Sequence, residues 1–448
     1  MKQTFASKTV GVVGIARSGI ACADVLQRHG ARVRLFDSKP ADVLLEQIGD
    51  ANAIGLAPFV GGVLPKYGEL DLLVTSPGVR KSAPILQGAL HANVPIISEI
   101  EVGFRIASAP ILAITGTNGK TTTTVVLAQM LQEAGFETTV GGNIAAGNLA
   151  LPLVAAAERT SPAGVIVAEI SSFQLEWIAS FRPKIAALLP ITTDHEDQQT
   201  WDEYVDSKWR IFENQTSDDV CVIHESLAAD ARLKKVRSRV IAFAGSNTTE
   251  QLGRFVDVGS IKVPGEHNRE NILCAAIMAH EFGASRDAIA RAAAEFAGVV
   301  HRLEYVATIN EVPYINNSMC TNADAFDKSL RAVPGPKVII MGGVFKGSDA
   351  FALVNAVQAN DVVSVYLIGR SGKEFADAMD CSGFHNWEIA GSLQTAVRKA
   401  HESARRGCTV MLAPACASFD QFRDFEDRGD QFKEAVYALC QSEQEKRT

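Results

Sequence analysis

The chain has no Cys-x-x-Cys pair, no finger-like cysteine spacing and no lysine or arginine run of the kind that makes a concentrated basic surface. The first two absences exclude a short-loop metal scaffold. The third, with a formal net charge of −8, disfavours a nucleic-acid partner, because binding a phosphate backbone needs a concentrated basic surface, and no such partner is expected. Long apolar runs are missing too. The patch from Val10 to Ile15 is broken by Gly11, Gly14 and then Arg17, well short of a signal or membrane segment, so no membrane insertion is expected. No internal repeat, low-complexity stretch or long charged linker interrupts the chain. Cys22, Cys221, Cys274, Cys320, Cys381, Cys408, Cys416 and Cys440 therefore read as reduced, mostly buried residues of a cytoplasmic protein. Anionic substrates of so acidic a chain must be met by local lysines, arginines and backbone N–H groups.

What is present is a length of 448 residues, 47% hydrophobic content and 35 glycines, which suits two or three folded α/β domains better than one core. Residues 9–37, "TVGVVGIARSGIACADVLQRHGARVRLFD", read as strand, glycine turn, amphipathic helix ending at Gly30 and a second strand closing on Asp37. The turn is Gly14-x-Ala16-x-x-Gly19, and the missing middle glycine argues against a dinucleotide cofactor. Asp37 either reads a nucleoside or closes a strand-end turn. A new unit opens near residue 109 with "APILAITG", followed by strands "GVIVAEISS", "KIAALLPITTDH" and "DVCVIH". The last block alternates again through "KVIIMGG", "VVSVYLIG" and "TVMLAPA". Strands apolar throughout imply parallel sheets covered on both faces.

"TGTNGKTTTT" sits between a strand and a helix, so its glycines can turn backbone N–H groups toward an anion at a helix N-terminus. Lys120 would reach the phosphates and Thr121 would offer a hydroxyl to Mg²⁺, although Ile114 stands where the strict P-loop pattern begins with glycine. Glu169 closes a neighbouring strand as a metal carboxylate should, and His195 closes the next and could supply a nitrogen ligand. Lys208, near Asp206, reads as a helix-surface lysine. Arg302 in "HRLE" is either a γ-phosphate contact or an interdomain ion pair. Lys346 and Ser418 follow apolar strands, where ligands bind or loops are solvated.

These motifs, with "VGGNI", "EISSFQLE", "KWRIF", "GEHNRENILCAA" and "APACASFDQF", follow one another in the order of the Mur ligase family, which the chain resembles along nearly its whole length. "SSFQLE" and the last motif point to its glutamate-adding branch. The resemblance implies three domains: a Rossmann-like UDP-substrate domain over residues 1–109, a central P-loop ATPase with a parallel sheet over 110–300, and a Rossmann-like amino-acid domain over 301–448. It implies a monomeric ATP-dependent ligase that adds D-glutamate to UDP-N-acetylmuramoyl-L-alanine through an acyl phosphate, in peptidoglycan precursor synthesis.

The resemblance also implies roles by position. Gly116, Thr117, Asn118, Gly119, Lys120, Thr121, Thr122, Asn268, Asn271, Arg302 and Asn317 would hold ATP. Thr121, Glu169, His195 and a CO₂-carbamylated Lys208 would hold two Mg²⁺ ions. Ser18, Asp37, Ser38, Ser76, Asn143, Ser171 and Gln174 would hold the UDP substrate, and Thr321, Lys346, Ser418 and Phe425 the glutamate. Three stretches depart from the family. "NSMCTN" loses a carboxylate at Asn317 and a lysine at Met319, "DHEDQQ" is altered, and Phe345 replaces an aspartate. Those departures leave open another amino acid, such as L-glutamate, or a weakly active or non-catalytic paralogue that binds nucleotide.

Overall fold

The computed structural model describes residues 5–144, 151–192, 200–263, 265–321, 323–345 and 350–445. Their strands form three sheets, and the packing divides the chain into two compact units. The first unit spans Met1–Ser260 and His267–Ala294, and the second Ile261–Glu266 and Glu295–Thr448.

The first unit holds two sheets. β1 (Thr9–Val13), β2 (Arg32–Phe36), β3 (Leu72–Thr75) and β4 (Ile96–Ser98) pair in the order β2-β1-β3-β4, all parallel. The helix Arg17–Arg28 follows β1 so closely that a Cβ on Gly19 would lie 1.7 Å from the Gly14 carbonyl oxygen. Only glycine allows that helix–strand approach. The second sheet contains β5 (Ile111–Thr115), β6 (Thr138–Gly142), β7 (Val165–Glu169), β8 (Ile185–Leu188), β9 (Val220–His224) and β10 (Arg239–Phe243). Its order is β10-β9-β8-β5-β7-β6, again parallel, and β5, β7 and β8 are buried along their whole length. Burial on both faces is why these strands carry unbroken apolar sequence.

The helix Glu99–Ile106 joins the two sheets of this unit. Ile100 packs in the core of the second sheet and Val102 in that of the first. Its two carboxylates face different surroundings. Glu101 accepts N–H bonds from Ala179, Ser180 and Phe181 at 2.8–3.0 Å and pairs with Arg105 at 2.8 Å. Among the described residues Glu99 accepts only the Val154 N–H, at 2.6 Å on Oε1, and its Oε2 has no hydrogen-bond partner. Burial pushes the Glu99 carboxyl up to about 7; the Val154 N–H opposes the shift, as does Gln174, which lies near without completing a bond to Oε2.

The second unit is built on β11 (Glu304–Ile309), β12 (Val312–Asn316), β13 (Lys337–Gly342), β14 (Val362–Ile368), β15 (Trp387–Gly391) and β16 (Thr409–Leu412). The order is β11-β12-β16-β13-β14-β15, parallel except for the β11–β12 hairpin. Asn310 and Glu311 turn that hairpin with φ of 50° and 64°, the left-handed pair that a two-residue loop needs. Among the described residues the cysteines are all free thiols and only Cys381 is exposed, as their spacing suggests.

Candidate active site

The centre of the first unit is the turn that leaves β5. Gly116 has φ of 150°, and a Cβ there would fall 2.6 Å from that of Leu189. Gly119 has φ of 81°, and a Cβ there would fall 2.2 Å from Asn271 Oδ1. Both glycines are required by backbone sign and by space. The helix Lys120–Glu133 starts at once, with Gly119 as its N-cap and no side chain capping it. A helix N-terminus without a side-chain cap presents its first N–H groups to an anion.

Two lysines converge on this turn. Lys120 Nζ donates to the carbonyls of Gly116 and Thr117 at 3.1 and 2.8 Å. Lys208 Nζ donates to the same Gly116 oxygen at 2.8 Å and lies 4.4 Å from the centre of the Tyr204 ring. Lys208 is 2% exposed, so the reading of it as a surface lysine is wrong. Its helix, Trp201–Trp209, turns Tyr204, Ser207 and Lys208 inward and leaves Asp206 outside to pair with Arg232. Tyr204 escaped the sequence reading. Its hydroxyl shares a 3.0 Å hydrogen bond with Thr117 Oγ1, which also donates to the Thr192 carbonyl, so one aromatic residue fixes both the turn and Lys208.

The register of β5 on β7 sets Ile114 beside Glu169. Thr121 Oγ1 then donates to Glu169 Oε2 at 2.8 Å, and both residues are buried. The β6 turn closes on the same point: Asn143 N–H donates to the Glu169 carbonyl at 2.7 Å, and Gly142 is pressed against it. Thr123 reaches Asn271 Oδ1 at 3.4 Å, and Asn268 is buried one turn earlier on the helix Glu266–Phe282. Asn118 is exposed and Thr122 half-buried. His195 lies outside the described residues, and among the described residues no three His, Cys, Asp or Glu side chains group as a metal site.

At the first sheet, Asp37 holds two loops by accepting the Ile15 and Lys39 N–H groups at 3.1 and 3.0 Å. Ser76 donates to the Gly14 carbonyl at 3.1 Å. Arg17 reaches the Ile144 carbonyl at 3.4 Å, which brings the glycine turn and the exposed Asn143 into one neighbourhood. Ser18 is half-buried there and Ser38 exposed. Ser171 and Gln174 form a capping box at the start of the short helix Ser172–Leu175, with Gln174 buried.

In the second unit, Arg302 rides on a strained turn between His301 and Leu303, with φ of 62° and 46°. Three contacts hold the strain. Glu304 accepts the His301 N–H at 2.9 Å, Asn317 Oδ1 accepts the Leu303 N–H at 3.1 Å, and Asn316 Nδ2 meets His301 Nδ1 at 3.0 Å. Burial lowers the His301 pKa, aided by Lys433 and opposed by nearby carboxylates. The half-buried Met319 donates its N–H to the His301 carbonyl.

Arg428 also escaped the sequence reading; it lies just beyond the motif "APACASFDQF" that carries Ser418. It is 1% exposed and donates to Ser318 Oγ, the Ser318 carbonyl and the Cys416 carbonyl at 2.9–3.1 Å. Burial brings its pKa down to about 10. That guanidinium ties together the segments carrying Asn317, Thr321, Ser418 and Phe425. Of these, Ser418 is buried, Thr321 and Phe425 are half-buried, and the Phe425 ring stands edge-on to His301 at 6.1 Å. Lys346 lies outside the described residues. Phe345 packs edge-on against Phe375 at 5.2 Å and donates its N–H to Ser371 Oγ.

Comparison with known proteins follows the same three segments. The MurD-like N-terminal domain of Mur ligases matches residues 8–98, the Mur ligase middle domain 114–279, and the Mur ligase glutamate ligase domain 301–416. Over 453 residues the chain is 40% identical to the UDP-N-acetylmuramoylalanine–D-glutamate ligase of Thermoanaerobacter pseudethanolicus, covering 96% of this chain and 98% of that protein. The chain belongs to the Mur ligase family. A second relative of the same name, from Pelotomaculum thermopropionicum, is 40% identical over 460 residues, 98% of this chain and 99% of its own.

Two solved Mur ligase structures share the fold. UDP-N-acetylmuramate-alanine ligase MurC from Thermotoga maritima aligns with a TM-score of 0.54 at 18% identity, over 96% of this chain and 100% of its own. UDP-N-acetylmuramoyl-L-alanyl-D-glutamate–2,6-diaminopimelate ligase aligns with a TM-score of 0.54 at 18% identity, over 82% and 92%. In this Mur ligase β1–β4 fall inside the matched N-terminal domain and β11–β16 inside the matched glutamate ligase domain.

Proposed function

We propose that this Mur ligase joins D-glutamate to the lactoyl-alanyl carboxylate of UDP-N-acetylmuramoyl-L-alanine at the expense of ATP. The observation that carries the reading is the turn after β5, where a glycine-capped helix start, two lysines and the buried Thr121–Glu169 pair converge. A carboxylate resists amines until one oxygen becomes a leaving group. The substrate carboxylate attacks the γ-phosphorus of ATP, ADP departs, and the acyl phosphate that forms is attacked by the glutamate amine; phosphate then leaves and the amide remains.

The chain's own groups divide that work. Lys120 and the N–H groups of the helix start hold the phosphates, Asn268 and Asn271 the nucleoside side, and Arg302 the transferred phosphoryl as charge develops on it. The donor set suits Mg²⁺, because Thr121 and Glu169 offer hard oxygens 2.8 Å apart in a buried site. When bound, Mg²⁺ neutralises phosphate charge. His195 and a carbamylated Lys208 would hold a second ion. For Lys208 that requires loss of a proton, addition of the amine to CO₂ and release of the Gly116 carbonyl.

Residues 1–109 would bind the UDP moiety through Ser18, Asp37, Ser38 and Ser76, with Asn143, Ser171 and Gln174 contributed by residues 110–300. Residues 110–300 would bind ATP and present its γ-phosphate to the substrate carboxylate, and 301–448 would hold glutamate through Thr321, Lys346, Ser418 and Phe425. No helix among the described residues is long and apolar enough to cross a membrane. We place the enzyme in the cytoplasm as a monomer, in peptidoglycan precursor synthesis.

The test incubates the protein with UDP-N-acetylmuramoyl-L-alanine, ATP, Mg²⁺ and either D- or L-glutamate, and follows ADP, phosphate and amide. Product with D-glutamate is expected. Product with L-glutamate alone would transfer the same chemistry to the other enantiomer, and a folded protein that turns over neither would be a nucleotide-binding paralogue.

A further inference from the structure

The first sheet carries an aromatic surface that neither its glycine turn nor Asp37 uses. Phe36 ends β2 and is buried. The Phe59 ring stacks on it with centroids 5.3 Å apart and planes 18° from parallel, yet remains 46% exposed. Backbone contacts fix its place. Phe59 N–H donates to the Leu35 carbonyl, and the Phe59 carbonyl accepts the Asp37 N–H, both at 2.9 Å. The residue thereby extends the sheet beyond β2 with a parallel bridge to Phe36.

The chain then runs beside the Asp37 turn. Gly61 N–H donates to the Lys39 carbonyl and Gly62 N–H to that of Asp37, at 2.8 and 3.2 Å. A Cβ on either glycine would meet nothing within 4 Å, so the ground over this stretch beside the Asp37 turn is open.

Direction follows from topology. In a doubly wound sheet a diphosphate lies on the turn after the first strand, and the ribose reaches the acid at the end of the second. The base then continues outward past β2, which here is the side where Phe59 lies. A ring held flat by a buried ring beneath it and still 46% exposed offers a stacking platform for a base.

We infer that Phe59 stacks on the pyrimidine base of the UDP-linked substrate and so helps to set its affinity. The inference rests on the substrate assigned above. It is tested by isothermal titration of the full-length protein with UDP and by steady-state kinetics, for wild type, Phe59→Leu and Phe59→Trp. Leucine keeps apolar packing on Phe36 and removes the π face, while tryptophan keeps both.

Phe59→Leu is expected to weaken UDP binding and to raise KM for the UDP-linked substrate by about tenfold. Its kcat and its KM for ATP stay within about twofold of wild type. Phe59→Trp is expected to bind UDP within about threefold of wild type. UDP binding by Phe59→Leu equal to that of wild type overturns the role of Phe59 and leaves the substrate assignment standing. Equal loss in both variants overturns stacking as the cause. A folded wild-type protein that binds no UDP overturns the substrate assignment and the inference together.

Discussion

Replacing Glu99 by glutamine should make the protein more stable, and only above a definite pH. The wild-type carboxyl is 1% exposed, has among the described residues one hydrogen bond on Oε1 and none on Oε2, and is raised by burial from its ordinary 4.5 to about 7. Below pH 4.5 it is neutral in the folded and unfolded chains alike. Between 4.5 and 7 the unfolded chain ionises first, so the native state binds more protons and stability falls as pH rises. Above about 7 both states are ionised and the full cost is present. The interval from 4.5 to about 7, at about 1.36 kcal/mol for each pH unit, sets that cost at about 3 kcal/mol.

Glu99→Gln keeps the oxygen that accepts the Val154 N–H and carries no charge. Denaturant unfolding at pH 4.5, 6, 7 and 8 should show the two proteins within about 1 kcal/mol at the lowest pH and glutamine ahead by about 3 kcal/mol at pH 8. A difference that stays constant across that range would refute the reasoning, because it would mean that ionisation of Glu99 costs the fold nothing.

Gly119→Ala places a Cβ at φ of 81° and 2.2 Å from Asn271 Oδ1. The backbone strain of about 1–2 kcal/mol and a lost hydrogen bond of about 1 kcal/mol should raise KM for ATP by roughly 30- to 150-fold, read from initial rates. Asn317→Asp retains an oxygen for the Leu303 N–H but buries an ionisable carboxyl, so its thermal unfolding midpoint should fall at pH 8 and approach that of wild type at low pH. Asn317→Leu leaves that N–H without its acceptor and should cost about 1–3 kcal/mol in the second unit.

Local signals were legible in the sequence, and long-range burial was not. The phosphate turn, Glu169 at a strand end and the all-apolar parallel strands are each written within about ten residues, where periodicity and glycine placement suffice. Lys208 could not be read that way, because its helix "WDEYVDSKW" carries enough acid to look solvated. Only the distant partners Gly116 and Thr117 show which face is buried. The β11–β12 hairpin was invisible for a related reason: β11 is half-exposed and its Asn-Glu turn carries no glycine. Arg428 escaped because a buried guanidinium satisfied by carbonyls and a serine leaves no charge pattern in sequence.

The helix Glu99–Ile106 also decides where this chain can be divided. A fragment beginning at residue 110 would contain every strand of the second sheet and still lack the Glu101 carboxylate on which the N–H groups of Ala179, Ser180 and Phe181 converge. It would also lose Ile100 from its core. A fragment meant to keep the second sheet's core and its Glu101 contacts must therefore begin no later than residue 99, and the helix that follows β4, which also gives Val102 to the core of the first sheet, is shared by both.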